Sequence, residues 1–473
     1  RVLFRSPRRS FTRIRNLGRS TRYLRLKQLI AAKWIIGVLC LSTLFSGCDT
    51  VKDIIGTGPE EERLPGKRIS VLALDRTLEP DLEIADRPVK LPRPRLNSDW
   101  LQNSGLPTHV MQHPAAEGNL TPLWSHDIGA GETGENLILS SPIIAHQVLF
   151  ALDSENVLSA TSLRNGRTLW KASVIPEGED VEGALGGGLA YHLETLYVTT
   201  AFGYVLALNP ENGGIYWWRN LGTPIRSAPV ADSERVFVLS IDNKFFALNH
   251  GDGTTIWEHS GISETAGLLG SATPAVSDDL VFVPYSSGEL FAMRAENGRV
   301  AWSDLLTFQG RLGTNTILND IDASPVVNGN VVYSISHSGR LVAIDIRSGM
   351  RIWEQEIAGT STPWLVGDYL YIMTTTNSLV CIQTIDGRVR WVQSVPVYLD
   401  PEDQEELIIW TRPILLGDRL IIASNHGEVR AVSPYTGRML GVINLRNGVR
   451  VSPIVANGTL YILTTDAKVL ALR

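Results

Sequence analysis

Few residues of this 473-residue chain are spaced for chemistry. Asp320-Ile321-Asp322 offers two carboxylates, but a hard cation takes roughly six to eight oxygen ligands and nothing nearby supplies the rest. His109 and His113 stand i,i+4, the spacing that brings two imidazoles to one helix face, yet no third ligand accompanies them. The nine histidines are otherwise scattered. Gly186-Gly187-Gly188 leads into a strand-like run, not a helix, so it reads as a connector and not as a phosphate cradle. Neither H-E-x-x-H, G-x-S-x-G, a Walker loop nor CxxC occurs. Of the three cysteines, Cys381 occupies a place held by alanine elsewhere and reads as a small core residue. The expectation is no catalytic residue, no metal and no cofactor.

What the chain does carry is a repeat. In Ala207-Leu208-Asn209-Pro210-Glu211-Asn212-Gly213-Gly214-Ile215-Tyr216-Trp217 a small residue is followed by glycine at +6 and tryptophan at +10. The same register recurs at Ala160/Gly166/Trp170, Ala247/Gly253/Trp257, Ala292/Gly298/Trp302, Ala343/Gly349/Trp353 and Cys381/Gly387/Trp391. A seventh copy, Ala431/Gly437, has Gly441 in place of tryptophan, and an eighth begins at Ala471. β-prone runs precede each small residue, turn formers follow, and the tryptophan opens the next strand with a large apolar face.

Pro142, Pro229, Pro274, Pro325, Pro363, Pro413 and Pro453, with Leu189 in the second copy, each stand eighteen residues before the small residue. Two strand-like runs lie between. Each unit therefore holds four short strands, A to D, as a β-propeller blade does. The last copy lacks strand D, whereas Leu120 to Ser125, with Trp124, looks like a D strand without its own A to C. Pairing the two hides two sheet edges and closes a ring. The fold class expected is all-β: an eight-bladed propeller of four-stranded antiparallel blades over residues 119–473, closed by an N-terminal strand. Trp124, Trp170, Trp217, Trp257, Trp302, Trp353 and Trp391 are the expected blade-docking residues.

Residues 1–33 carry eleven Lys and Arg and no acid, and an apolar run from Trp34 to Phe45 precedes Ser46-Gly47-Cys48. This reads as a secretory signal over residues 1–48, in a chain whose first residue here is Arg1. Removing the eleven basic residues leaves 32 basic against 49 acidic residues, a net of −17, which argues against nucleic acid as a partner. Residues 49–118 are charged and proline-rich, as in a tether. Trp100 and the histidine pair suggest that its later part lies on the propeller.

Small residues before Cys48 resemble a bacterial lipobox, which implies lipid on Cys48. Aspartate at position 49 resembles an inner-membrane retention signal, so the address is the periplasmic face of the outer membrane with the inner membrane as the alternative. The blade signature resembles the PQQ-type repeat, A-x-D/N-x-x-T/N-G-x-x-x-W, with Asn209/Asn212, Asn249/Asp252 and Asp345/Ser348 as good copies. Nearer still, the chain resembles the BamB family of the β-barrel assembly machinery, above all in DIDASPVVNGNVVYSISHSGRLVAIDIRSGMRIW, from Asp320 to Trp353. The resemblance implies a non-catalytic lipoprotein scaffold, one copy in a hetero-complex, that docks on the periplasmic POTRA domains of the BamA protein beside other assembly-machinery lipoproteins.

The distance from the proline position, Leu189 in one copy, to tryptophan is twenty-eight residues in six copies, while D-to-A connectors run from ten residues, Trp353 to Pro363, to twenty-three, Trp302 to Pro325. Variable loops on a rigid frame are where binding concentrates. The family's partner contacts imply roles for Leu268, with Leu269 in place of an arginine, in one connector and for Asp320 and Asp322 in another. Turn bonding for the aspartates and core packing for Leu268 are the alternatives. The acidic run Asp400 to Glu406 reads as solvated loop. A PQQ-dependent dehydrogenase and a binding propeller of another envelope complex are the two competing functions.

Overall fold

The computed structural model describes residues 78–473 except 117–118, 233, 265–269, 271 and 308–318. The expected signal and Cys48, and the expected contacts Leu268 and Leu269, lie outside the described residues. Among the described residues there is no helix, and eight sheets of four antiparallel strands form the eight-bladed propeller.

Blade 3 shows how the repeat makes a sheet. Its strands are Val230–Ala231, Arg235–Leu239, Lys244–Asn249 and Thr255–Ser260, hydrogen-bonded in chain order. Strands B and C are apolar and buried on both faces, with Phe237 and Phe245 stacked at 5.8 Å. Strand D alternates exposed and half-buried residues, and Trp257 takes the central half-buried place. Ala247 lies opposite Trp257, and the register then slips at a bulge. The same slip follows the small residue in each of the other complete repeats, from Ala160/Trp170 to Ala431/Gly441.

The +6 glycine is dictated by the neighbouring blade. Gly298 sits at φ +73°, and a Cβ there would come within 2.5 Å of the Trp257 ring. Trp257 Nε1 in turn donates to Ala295 O at 3.0 Å. The other six tryptophans repeat the arrangement: Trp124 donates to Leu163 O, Trp170 to Pro210 O, Trp217 to His250 O, Trp302 to Ile346 O, Trp353 to Thr384 O and Trp391 to Pro434 O. Each tryptophan covers the C–D turn of the following blade. This explains Gly441: blade 8 has no C–D turn, because its D strand, Pro122–Asp127, comes from the other end of the repeat region and pairs with Lys468–Leu472.

The segment before blade 1 winds once around the A-strand ends and meets the blades in order. Asn97 O accepts from Asn457 N of blade 8, and Trp100 exchanges both backbone bonds with Ile144 of blade 1 at 2.8 Å. Leu101 O accepts from Tyr191 N of blade 2, and the Gln102 amide brackets Ala231 of blade 3. Pro107 O and Thr108 O accept from Val276 N and Val327 N of blades 4 and 5. The Gln112 side chain accepts from Gly367 N of blade 6, and Pro114 O from Gly417 N of blade 7. Trp100 is fully buried and stacks on Trp364 across the axis at 6.2 Å. These residues plug one end of the channel.

The acidic run differs from its reading as plain loop. Tyr398–Asp400 and Glu405–Leu407 pair as a two-stranded hairpin between blades 6 and 7. Its strands leave Leu399 and Leu407 about half exposed beside the acids.

Candidate docking face and channel mouth

In an up-and-down blade the D-to-A connectors and B–C turns share one face, and the A–B and C–D turns share the other. The plug enters from the A–B side. Its tip, closed by the Gln102–Gly105 bridge, reaches the starts of the A strands, where Asn103 Nδ2 donates to Thr273 Oγ1 at 2.8 Å. Thr273 N donates to Ser324 Oγ, and Ser324 N to Thr362 Oγ1, so one polar chain links the plug to blades 4, 5 and 6. All three of these residues, each two positions before an A strand, are buried, and their hydrogen bonds link one connector to the next.

Asp320 and Asp322 belong to this mouth. Asp320 is buried, and its carbonyl accepts from His337 N at 2.9 Å. Asp322 is half-buried against Gly270, where an added Cβ would collide with Asp322 Oδ2. Burial, together with the Asp320 carboxylate, pushes the Asp322 carboxyl up to about 7, and the Arg226 guanidinium pulls the other way. Gly270 directly follows Leu268 and Leu269 in the chain, and it is this glycine that meets Asp322 of the other connector singled out from the sequence. Arg226, three residues before Pro229, was not singled out. Its only sequence signal is a lone basic residue in a connector otherwise without charge, Leu221 to Ala228.

Arg226 also lines a cavity of about 110 Å³, with Asn103, Ser140, Ser141, Gly187 and Gly270 among its other walls. A tricyclic quinone does not fit this cavity, which is well below the roughly 300 Å³ at which cofactor-sized pockets begin.

The plug histidines hold backbone rather than metal. His109 Nδ1 bonds Pro325 O at 2.7 Å, and His113 bonds Pro92 O and Gly417 O. Burial, against the pull of the Pro325 carbonyl and helped by Arg412, drops His109 to about 4. Among the described residues no three His, Cys, Asp or Glu side chains gather as metal ligands. Cys381 is fully buried, and burial pushes its thiol up.

Residues 153–393, just over half of the chain, match the model of a family described as outer membrane protein assembly factor BamB. The protein of that name from Yersinia pestis is 24% identical over 365 residues, which span 76% of this chain and 90% of the relative. Among solved structures, BamB from Moraxella catarrhalis superposes with a TM-score of 0.63 at 18% identity, over 75% of this chain and all of that one. A europium-containing methanol dehydrogenase superposes at 0.61 with 14% identity, over 77% of this chain and 89% of that one, a likeness of fold alone.

Proposed function

We propose a function from one premise: the chain belongs to the family of the outer membrane protein assembly factor BamB. It is an assembly-factor propeller associated with the outer membrane, and it is not an enzyme. In our reading it is a scaffold, tethered through lipid on Cys48 at the periplasmic face. It docks its connector face on the POTRA domains of a BamA-like protein, beside other lipoproteins of the machinery.

The observation that carries this reading is the inequality of the two faces. The A–B face is engaged at its centre by the chain's own residues 97–114, while the connector face keeps the variable loops and the Asp320/Asp322 pair. Asp320 is buried and Asp322 half-buried. We assign Asp322 the contact through its side chain and Asp320 the shaping of the connector, and we keep Leu268 and Leu269 as partner contacts on the resemblance alone.

Affinity recovery of the BamA-like protein from detergent-solubilised envelope tests this, using Asp322→Asn and Asp320→Asn baits shown by circular dichroism to be folded. Recovery falls for both. Undiminished recovery removes the mouth from the docking surface.

A further inference from the structure

We propose that the outer strand of blade 7, Met439–Asn444, is a pairing edge for an extended apolar segment of another protein that carries acidic residues at its two ends. The site lies on the rim of the ring. It is additional to the connector-face reading and stands whether or not that reading holds.

The strand differs from its seven counterparts in charge and in cover. Each of the other D strands, all among the described residues, holds at least one charged side chain, such as Lys171, Arg219, Glu258 or Asp304. Met439-Leu440-Gly441-Val442-Ile443-Asn444 holds none. Charge on an edge strand is a common guard against pairing with a foreign chain. A short β-prone run with neither charge nor proline is the kind that pairs most readily.

Cover follows from how the ring closes. In every other D strand at least one residue is half-buried or buried, whereas all six residues of this one are exposed. Blade 8 offers no C–D turn for the strand to lie on, and nothing stands within 4 Å of a Cβ added at Gly441. Leu440 is 54% and Val442 47% exposed. Val442 and Ile443 are consecutive, so apolar side chains stand on both faces of the strand. Its inner side pairs with Glu428–Val432, and the backbone groups on its outer side are left to water, as on any sheet edge.

Charge decides the occupant. Arg438 precedes the strand and Arg446 follows it, both exposed, and among the described residues neither guanidinium has an ion-pair partner. Antiparallel pairing with a second copy brings Arg438 of one copy beside Arg446 of the other, and both copies are net acidic. Like charges across a strand pair are unfavourable. Acids at the two ends of a foreign strand meet the arginines in either direction and turn that repulsion into attraction. Main-chain bonds then supply affinity, and the alternating side chains and charged ends supply specificity.

The test is fluorescence anisotropy of the full chain in detergent with a labelled peptide of about eight residues, valine and threonine alternating between terminal aspartates. The wild type binds it saturably. Val442→Lys, at an exposed place that the fold tolerates, abolishes binding because a charge then stands in the pairing edge. Attraction by charge alone would be strengthened by that lysine. Arg438→Gln/Arg446→Gln lowers affinity about threefold to tenfold. Terminal asparagines in the peptide cause the same loss in wild type and none further in the double variant. A peptide N-methylated at its central residues keeps its side chains and charge, loses its backbone donors, and does not bind.

Absence of saturable binding to wild type, equal binding by Val442→Lys, or equal binding of the N-methylated peptide overturns the proposal. So does a concentration-dependent dimer in sedimentation that Val442→Lys dissolves, since a second copy then covers the edge.

Discussion

Trp124 lies opposite Ala471 in the outer strand pair of blade 8, and its Nε1 donates to Leu163 O of blade 1 at 3.2 Å. One side chain from the first strand therefore joins the last blade to the first. The Trp124→Ala variant loses both the ring and the bond. A fully buried Trp→Ala change costs about 3 to 5 kcal/mol. Because Trp124 is half-buried, the expected loss is about 2 to 3 kcal/mol, measured as a lower urea midpoint.

Gly298 and Gly441 respond oppositely to the same change. At Gly298 a Cβ meets the Trp257 ring at 2.5 Å and the backbone is at φ +73°, so Gly298→Ala forces both a clash and a strained φ. Each costs about 1 to 3 kcal/mol, and the sum should exceed about 2 kcal/mol. At Gly441 nothing lies within 4 Å of an added Cβ, so Gly441→Ala stays within about 0.5 kcal/mol of wild type. Urea midpoints of the two variants, side by side, check the pair.

The glycine and tryptophan spacing made the blades legible because each blade repeats the same contact with its neighbour. Even the irregular Gly441 and the stray Trp124 follow from one cause, the D strand of blade 8 coming from the other end. The plug was not legible in the same way. Residues 97–114 meet eight blades mainly through backbone groups and four amide side chains, Asn97, Gln102, Asn103 and Gln112, and such contacts leave no period in the sequence. Trp100 and the two histidines were visible only as unusual residues in a polar stretch. Arg226 escaped because its link to Asp322 joins connectors of different blades, a distance that no local pattern encodes. The acidic run hid a hairpin because one of its two pairs, Asp400 with Glu405, joins two acids that carry no strand signal, and only Tyr398 opposite Leu407 is apolar on both sides.

Removing the plug's anchors should loosen the ring as a whole. Trp100 is fully buried against Trp364, so Trp100→Ala costs about 3 to 5 kcal/mol. Gln102→Ala leaves Ala231 N and O of blade 3 without their amide partner and costs about 1 to 3 kcal/mol. Protease cleavage within residues 97–114 is the direct readout, faster in both variants than in wild type. Unchanged cleavage and stability in Trp100→Ala would deny the plug its structural role.

Stability should depend on pH through two groups with opposite signs. Asp322 has its folded value raised to about 7. The stability its proton contributes is complete below the unfolded value near 4 and is lost as pH rises through about 7. His109, facing the Pro325 carbonyl and Arg412, is lowered to about 4. Its contribution is complete above the unfolded value near 6.5 and is lost as pH falls to about 4. A tenfold change in proton affinity on folding is worth about 1.4 kcal/mol at most, so both effects are on the order of a few kcal/mol. Urea titrations from about pH 4 to about pH 8, which span both transitions, should show Asp322→Asn removing the loss on the alkaline side and His109→Gln removing the loss on the acid side.

Arg412 is the residue whose removal should help. It is buried just before the A strand of blade 7 and reaches the plug through Nη1 to Ser104 Oγ, while its Nη2 has no partner. Burial alone depresses it, to about 10, with no carboxylate pulling the other way. A buried charge that lacks an opposite charge suffers desolvation without a compensating attraction. Arg412→Met keeps the length and apolar stem and removes the charge, but it strands Ser104 Oγ, a loss of about 1 to 3 kcal/mol. The double variant Ser104→Ala/Arg412→Met removes both polar ends and should be at least as stable as wild type. The single Arg412→Met should fall below the double, so the two positions are coupled. Urea midpoints for the four members of the cycle decide it. A double variant several kcal/mol below wild type would mean that Arg412 has an attraction strong enough to offset its burial.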